Sequence, residues 1–168
     1  NDVLQDGYFH TGDIGEIDSE GFLKITDRKK EMFKTSGGKY VAPQVLENLA
    51  KGSKFIEQIM VVGDGEKMPC ALVQPDYAFA KLWAERKHLK IGKTPEEMAN
   101  SPELKARIMK DINLLNATLG KWEQIKKIEL TPTLWTIEDG LLTPTMKLKR
   151  KAVKEKFFNL YEKLYDRA

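Results

Sequence analysis

The sequence predicts an α+β domain in which a small sheet is flanked by helices. Short apolar runs rich in β-branched residues meet at turns that contain glycine, which is typical of β-hairpins. Longer stretches repeat apolar residues every three or four positions, which is the period of an amphipathic helix. Both patterns occur along the same chain, so the fold class is mixed.

The β-rich runs form two candidate hairpins, one near the start of the chain and one near its middle. Alternating apolar and polar residues surround the turn at residues 18–21, and apolar runs flank the turn at residues 63–66. A third apolar run further along predicts one more strand. The predicted strands cover residues 14–17, 22–25, 56–62, 70–74 and 125–130.

Helical periodicity fills most of the rest of the chain. Pro43 fits the first turn of a short helix, because proline needs no backbone N–H there. The last helix carries one apolar stripe, so we expect it to cover the sheet. The predicted helices cover residues 42–49, 77–88, 102–119 and 148–165. The stripe of the last helix consists of Val153, Phe157, Leu160, Tyr161 and Leu164.

Composition limits the function classes. The chain has 168 residues, 41% hydrophobic and 32% charged, which suits one ordinary soluble domain. A net charge of +3 with interleaved signs argues against a nucleic-acid partner. The single cysteine, Cys70, predicts a reducing cytoplasm, and two separated histidines, His10 and His88, predict no metal site. We find no leader and no apolar run of roughly 20 residues.

A lysine on a tight turn is the candidate catalytic group. Residues 143–150 read Thr-Pro-Thr-Met-Lys-Leu-Lys-Arg, so a proline-punctuated loop precedes a helix and presents Lys147 at its edge. An ammonium delivered to a phosphoryl or carboxylate centre neutralises charge that develops in the transition state. Lysine-rich helix starts are also common solvated surface, so the turn alone leaves both interpretations open.

Two further motifs point to a family. Thr11, Gly12 and Asp13 come first, and residues 26–40 follow with Arg28, a lysine-rich stretch and the Gly37–Gly38 pair. Because these two motifs and the lysine turn follow one another in this order, the chain resembles the C-terminal portion of adenylate-forming enzymes. This superfamily includes acyl-CoA synthetases, luciferases and peptide-synthetase adenylation domains. It looks most like a long-chain fatty acid CoA ligase, as residues 35–43 and the long helical segment 76–119 suggest.

The resemblance implies a domain organisation. Residues 28–168 correspond to the mobile C-terminal domain, with a small mixed sheet flanked by helices, and residues 1–27 to the tail of a large N-terminal domain. Since Asn1 is not an initiator methionine, we expect an excised fragment, inactive by itself, whose main partner is its own N-terminal domain.

The resemblance also implies roles for single residues. Asp13 would bind the ribose hydroxyls of the nucleotide and Arg28 would contact it, although a turn carboxylate and a surface ion pair are the structural alternatives. Gly37 would line the CoA tunnel and Lys39 would lie near CoA, although the glycine pair could equally serve a positive φ. Lys34 is a candidate for the second half-reaction, or simply solvent-facing.

Two positions concern motion of the domain. Lys30 matches the hinge about which the domain would rotate. Met146 stands where a glycine usually precedes the catalytic lysine, and methionine has less access to positive φ than glycine.

The implied reaction has two steps. A fatty acid carboxylate attacks Mg²⁺-ATP to give acyl-AMP and pyrophosphate, with Lys147 contacting the reacting oxygens; the CoA thiol then attacks the acyl carbonyl and releases AMP. ATP with Mg²⁺, CoA and a fatty acid are thus the expected ligands, in the cytoplasm and peripherally at the inner membrane face. Alternatives are a ligase for another carboxylate, a non-catalytic binding module with a basic face at residues 147–156, or a structural domain.

Overall fold

The computed structural model describes residues 4–5, 7–28 and 31–167. It opens with two antiparallel hairpins, and the second confirms the first predicted one. The Asp18 carboxylate closes its turn, because one oxygen accepts the amides of Glu20 and Phe22, both at 2.9 Å. The strands are β1 Leu4–Gln5, β2 Tyr8–Phe9, β3 Asp13–Ile17 and β4 Leu23–Arg28.

The second hairpin leaves its apolar side chains exposed. Ile17, Phe22, Leu23 and Ile25 each expose more than half of their surface. Four large apolar side chains on one short hairpin are unusual for a surface that only water contacts.

A small hairpin and a helix come next. Strands β5 (Phe33–Lys34) and β6 (Tyr40–Val41) pair, and α1 (Pro43–Ala50) follows with proline in its first turn. The predicted short helix is therefore confirmed, with its ends shifted by one residue.

A three-stranded mixed sheet forms the centre. Strands β7 (Ile56–Val62) and β8 (Cys70–Pro75) pair antiparallel, which confirms the second predicted hairpin. Strand β9 (Ile128–Leu130) adds to β8 in parallel. It is shorter than predicted because Ile125 does not join the sheet: its amide donates to Asn116 Oδ1 at 2.9 Å and its carbonyl accepts from Asn116 Nδ2 at 2.8 Å.

Helices follow between the second and third strands of this sheet. Helices α2 (Tyr77–Lys87) and α4 (Pro102–Asn116) confirm two predictions, and a short α3 (Pro95–Ala99) was not predicted. Each begins at a side chain that caps the free backbone amides; for α2, Asp76 accepts from the Phe79 amide at 2.8 Å.

Side chains of β7 and β8 alternate between two cores, one on each face of the sheet. Ile59 and Val73 point to the core beneath α1, α2 and α4. Met60 and Leu72 point to a second core, which also contains Cys70, Trp135, Leu141, Leu142 and the apolar stripe of the C-terminal segment. The predicted α+β fold with helices flanking a mixed sheet is confirmed.

The C-terminal segment is two helices, so the prediction of one continuous helix over residues 148–165 was wrong. Helix α5 spans Arg150–Lys156 and α6 spans Phe158–Leu164, with Phe157 between them at φ −109° and ψ 32°. The Phe157 ring stacks on Trp135 with centroids 6.2 Å apart. We attribute the bend to this packing, since it seats Phe157 in the second core with Val153 and Tyr161. In the described part of the chain, no helix has the length and apolarity to cross a bilayer.

Candidate functional site

Lys147 lies on a narrow hairpin. Leu142 and Leu148 pair as a β-bridge, the Thr143 amide donates to the Lys147 carbonyl at 2.8 Å, and the Lys147 amide donates to Thr143 Oγ1 at 3.0 Å. The base is fixed because Leu141 and Leu142 are almost completely buried in the second core. The hairpin is therefore a rigid support for its lysine.

The Lys147 side chain is exposed. Within residues 4–5, 7–28 and 31–167, its ammonium forms no hydrogen bond or ion pair. A protruding, unpaired cation fits delivery to another molecule.

Met146 has a positive φ, which is energetically unfavourable for a residue with a side chain. Its φ is 60°, in the left-handed region, where a side chain at Cβ costs roughly 1–2 kcal/mol. The Met146 amide donates to the Thr143 carbonyl at 2.8 Å, so the turn holds this conformation in place. Met146 thus has a positive φ that glycine, the residue expected at this position, would adopt at lower cost.

Arg150, the first residue of α5, joins this hairpin to the rest of the domain. Its Nη2 donates to both oxygens of Glu47 at 2.7 and 2.8 Å, its Nη1 to the Val61 carbonyl at 3.1 Å, and its Nε to Glu31 Oε2 at 3.4 Å. We call Arg150, Glu47 and Glu31 the arginine clamp. It connects α5 with α1, β7 and the residue next to the expected hinge.

The clamp perturbs Glu47. Burial raises the pKa of its carboxyl to about 7, although the Arg150 guanidinium and the Val61 amide, which donates at 2.7 Å, act in the opposite direction. A cleft of about 250 Å³ beside the clamp is lined by Glu47, Arg150 and Lys147. Sequence analysis missed Glu47 and Arg150 because they are 103 residues apart; a glutamate on the apolar side of a predicted helix was the available signal.

The proposed ribose aspartate and Arg28 lie opposite each other. Asp13 and Arg28 are partners in the β3–β4 ladder, so the backbone places these two positions side by side. The Asp13 amide donates to Thr11 Oγ1 at 3.1 Å. The expected hinge residue, Lys30, is outside the described residues.

The structure distinguishes the two glycines of the Gly37–Gly38 pair, which the sequence could not assign to a positive φ or to a ligand. Gly38 has φ +79°, which glycine tolerates best. Gly37 does not have a positive φ, and a Cβ there would meet only Thr35 Oγ1, at an ordinary 3.9 Å. The described fold therefore requires glycine at position 38 and not at position 37.

Lysines and aromatic rings surround this loop. The ammonium of Lys34 lies 5.6 Å from the Tyr40 ring centroid, and that of Lys39 lies 5.7 Å from the Trp122 ring centroid. Tyr40 and Trp122 are each about half exposed or more. Trp122 was not predicted as a site residue, because nothing local connects it to a loop eighty residues earlier. Cationic groups over exposed rings suit a ligand that has both phosphates and an aromatic base.

Comparison with known proteins agrees with the motifs. Residues 31–168 match the sequence model for the AMP-binding enzyme C-terminal domain. Over 166 residues the chain is 40% identical to the long-chain fatty acid CoA ligase FadD15 of Mycobacterium tuberculosis, covering 99% of this chain and 28% of that protein. Over 163 residues it is 41% identical to long-chain fatty acid CoA ligase 6 of Rattus norvegicus, covering 95% of this chain and 23% of that protein.

A solved structure shows the same fold. The adenylation domain of a carboxylate reductase from Mycobacterium chelonae superposes with a TM-score of 0.77 and 27% identity, covering 98% of this chain and 24% of that one. The chain thus spans about a quarter of the length of these relatives. From the family match and the identity to these ligases, the chain belongs to the AMP-binding enzyme C-terminal domain family.

Proposed function

We propose that this chain is the mobile C-terminal part of an ATP-dependent, AMP-forming long-chain fatty acid CoA ligase. The observation that carries the proposal is Lys147, an unpaired exposed cation on a rigid hairpin in a chain 40% identical to such a ligase. Residues 28–168 form the moving domain and residues 1–27 belong to the large domain. The start of the family match at residue 31 supports this boundary, as does the exposed apolar hairpin before it.

In the first half-reaction, Lys147 contacts the fatty acid carboxylate and the α-phosphate while acyl-AMP forms from Mg²⁺-ATP. Both reacting groups are anionic, so a cation between them reduces their repulsion as they approach. Asp13 and Arg28, paired across β3 and β4, hold the ribose and phosphate of the nucleotide. Lys30 is the hinge about which the domain then rotates.

In the second half-reaction, the loop at Gly37 faces the adenylate. A position without a side chain, which the fold itself does not require, leaves room for the thin pantetheine arm of CoA. Lys39 and Trp122 hold the nucleotide end of CoA, and Lys34 assists on the other side of the loop.

The test separates the two steps in the full-length ligase. Lys147→Ala lowers pyrophosphate exchange about 10²-fold or more, as loss of a preorganised charge contact does, while acyl-CoA formation from supplied acyl-AMP stays within a few-fold. Gly37→Val shows the opposite pattern. Lys149→Ala is the matched control, because it removes an exposed lysine two residues away. Equal loss of both steps in Lys147→Ala, or a comparable loss in the control, would refute the assignment.

The substrate class needs its own assay. Pyrophosphate exchange with acids of increasing chain length should increase towards long chains, since each buried CH₂ contributes about 0.8 kcal/mol. A preference for short or aromatic acids would instead favour an adenylate-forming ligase of another carboxylate. A protein that stays folded but supports no pyrophosphate exchange with any acid would favour a non-catalytic binding module.

We propose that the full-length enzyme works in the cytoplasm and associates peripherally with the inner face of the membrane. The support is physical: a long-chain fatty acid partitions into bilayers, so an enzyme at the membrane surface encounters more of it.

A further inference from the structure

One stretch of the surface concentrates positive charge. Residues 81–93, the second half of α2 and the loop after it, contain five basic side chains and one carboxylate, Glu85, which gives a net charge of +4 against +3 for the whole chain. We call this stretch the basic edge. Its cations are Lys81, Arg86, Lys87, Lys90 and Lys93.

The cations of the basic edge are exposed and unpaired. Among the described residues, none of the five forms a side-chain hydrogen bond or salt bridge. Glu85 and Glu97, both described by the structure, lie in the same groove as three of these cations but form no salt bridge with them; the Glu97 carboxylate accepts the backbone amides of Lys93 at 2.6 Å and of Thr94 at 3.3 Å. Their charge is therefore available to an external anion.

The second basic stretch, residues 147–156, differs in this respect. Arg150 binds Glu47, Lys156 lies 3.1 Å from Asp139, and Lys151 lies 3.9 Å from Glu155. The Lys154 ammonium lies 3.9 Å from the Tyr161 ring centroid. Most of its charge is therefore neutralised or held within the domain.

Apolar side chains accompany the cations of the basic edge. Leu82 exposes 53% of its surface and Leu89 38%, although the opposite side of α2, at Ala80 and Ala84, is buried in the first core. A groove of about 900 Å³ at this edge is lined by three lysines, two glutamates and apolar residues: Lys81, Lys90 and Lys93, Glu85 and Glu97, and Leu89 with Ala84 and Ile91. Exposed leucines between unpaired lysines suit an interface that is anionic outside and apolar beneath.

We propose that the basic edge is the surface through which the protein contacts anionic lipid headgroups, with Leu82 and Leu89 entering the headgroup region. This inference rests on the peripheral membrane association proposed above and locates it on α2 and its following loop. A nucleic acid is less suitable, because the most exposed apolar side chains between these cations are aliphatic leucines, Trp83 packs against the first core, and His88 is the one exposed ring of the stretch.

The test uses the 168-residue chain and sedimentation with vesicles of phosphatidylcholine containing phosphatidylglycerol. Each lysine near an anionic surface contributes roughly a five-fold factor to partitioning, so Lys81→Gln, Lys90→Gln and Lys93→Gln together should lower it on the order of a hundred-fold. The matched control carries Lys151→Gln, Lys154→Gln and Lys156→Gln, with the same loss of net charge, and should lose less than ten-fold. Circular dichroism of both variants should match that of the unaltered chain.

Three outcomes would overturn the proposal. Equal loss in both triple variants would mean that net charge alone drives binding. Equal binding to pure phosphatidylcholine would assign it to the apolar hairpin of residues 13–28. Failure to bind anionic vesicles, with lysine-dependent binding to a single-stranded oligonucleotide instead, would identify a nucleic-acid surface. None of these outcomes depends on the half-reactions, so the ligase proposal stands or falls separately.

Discussion

Replacing Arg150 by methionine should destabilise the domain in a way that depends on pH. Methionine approximates the aliphatic length of arginine, so the change removes the guanidinium and leaves most of the packing. It takes from Glu47 the two hydrogen bonds at 2.7 and 2.8 Å and from the Val61 carbonyl the one at 3.1 Å. Only 26% of the Arg150 side chain and 7% of the Glu47 side chain are exposed, so solvent screens the pair weakly.

The magnitude follows from the ionisation of Glu47. Its pKa in the folded state, about 7, lies above the ordinary 4.5. The contribution of this carboxyl to stability is therefore present at low pH and is lost as pH rises through about 7. Without Arg150 the pKa rises further. At pH 6 both proteins hold a mostly protonated carboxyl, so the variant loses only hydrogen bonds, about 1–2 kcal/mol. At pH 8 the variant keeps a proton that the unaltered chain has mostly released, which adds at most about 1.4 kcal/mol for the one pH unit above 7, so its total loss is about 2–3 kcal/mol.

Urea unfolding of the 168-residue chain at pH 6 and pH 8, followed by circular dichroism, measures both values. Adding Glu47→Gln to the variant removes the ionisable group, so the difference between the two pH values should disappear. Lys151→Met is the control, because its pair with Glu155 is exposed and should leave the midpoint unchanged. A cost that is equal at both pH values, or a pH dependence that survives Glu47→Gln, would refute the reasoning.

Two further predictions concern the backbone. Met146→Gly should stabilise the chain by roughly 0.5–1 kcal/mol, because relief of the left-handed conformation outweighs the extra chain entropy of glycine; a lower thermal midpoint would contradict the reported φ of 60°. Gly38→Ala should destabilise by about 1 kcal/mol, whereas Gly37→Ala should be neutral or slightly stabilising; thermal unfolding of the two variants side by side checks this, and equal losses would mean that Gly37 is also structurally required.

Local chemistry explains why much of the fold was predictable. The turn at residues 18–21 is closed by the side chain of Asp18, and α1 begins at its own Pro43, so both elements are determined by residues near them in sequence. The sequence did not predict that α4 ends at Asn116, three residues early, or that β9 starts late. Both depend on the Asn116 side chain, which forms hydrogen bonds with the backbone of Ile125 nine residues away. The bend at Phe157 likewise depends on Trp135, twenty-two residues away.

Some residues of the candidate site could likewise be recognised from local sequence, and others could not. Lys147 could be singled out from its own turn, but the roles of Asp13, Gly37 and Lys39 came from resemblance, since a tripeptide and a glycine pair have several common uses. Gly37 could be distinguished from Gly38 only by φ and by the space around a Cβ. The arginine clamp depends on a contact between distant parts of the chain, which periodicity does not reveal.

The buried base of the lysine hairpin limits how Lys147 can move. Leu141 and Leu142 are inserted in the packing beneath the sheet, and the Lys149 amide donates to the Leu141 carbonyl at 2.9 Å. Moving this hairpin relative to the rest of the domain would open a cavity in the second core and break backbone hydrogen bonds. Rotating the whole domain about one hinge would cost less, because it leaves both the packing and the hydrogen bonds intact. Under the proposed mechanism, the ammonium would therefore be withdrawn between the two half-reactions by displacement of the entire folded unit, at a rate set where that unit is attached.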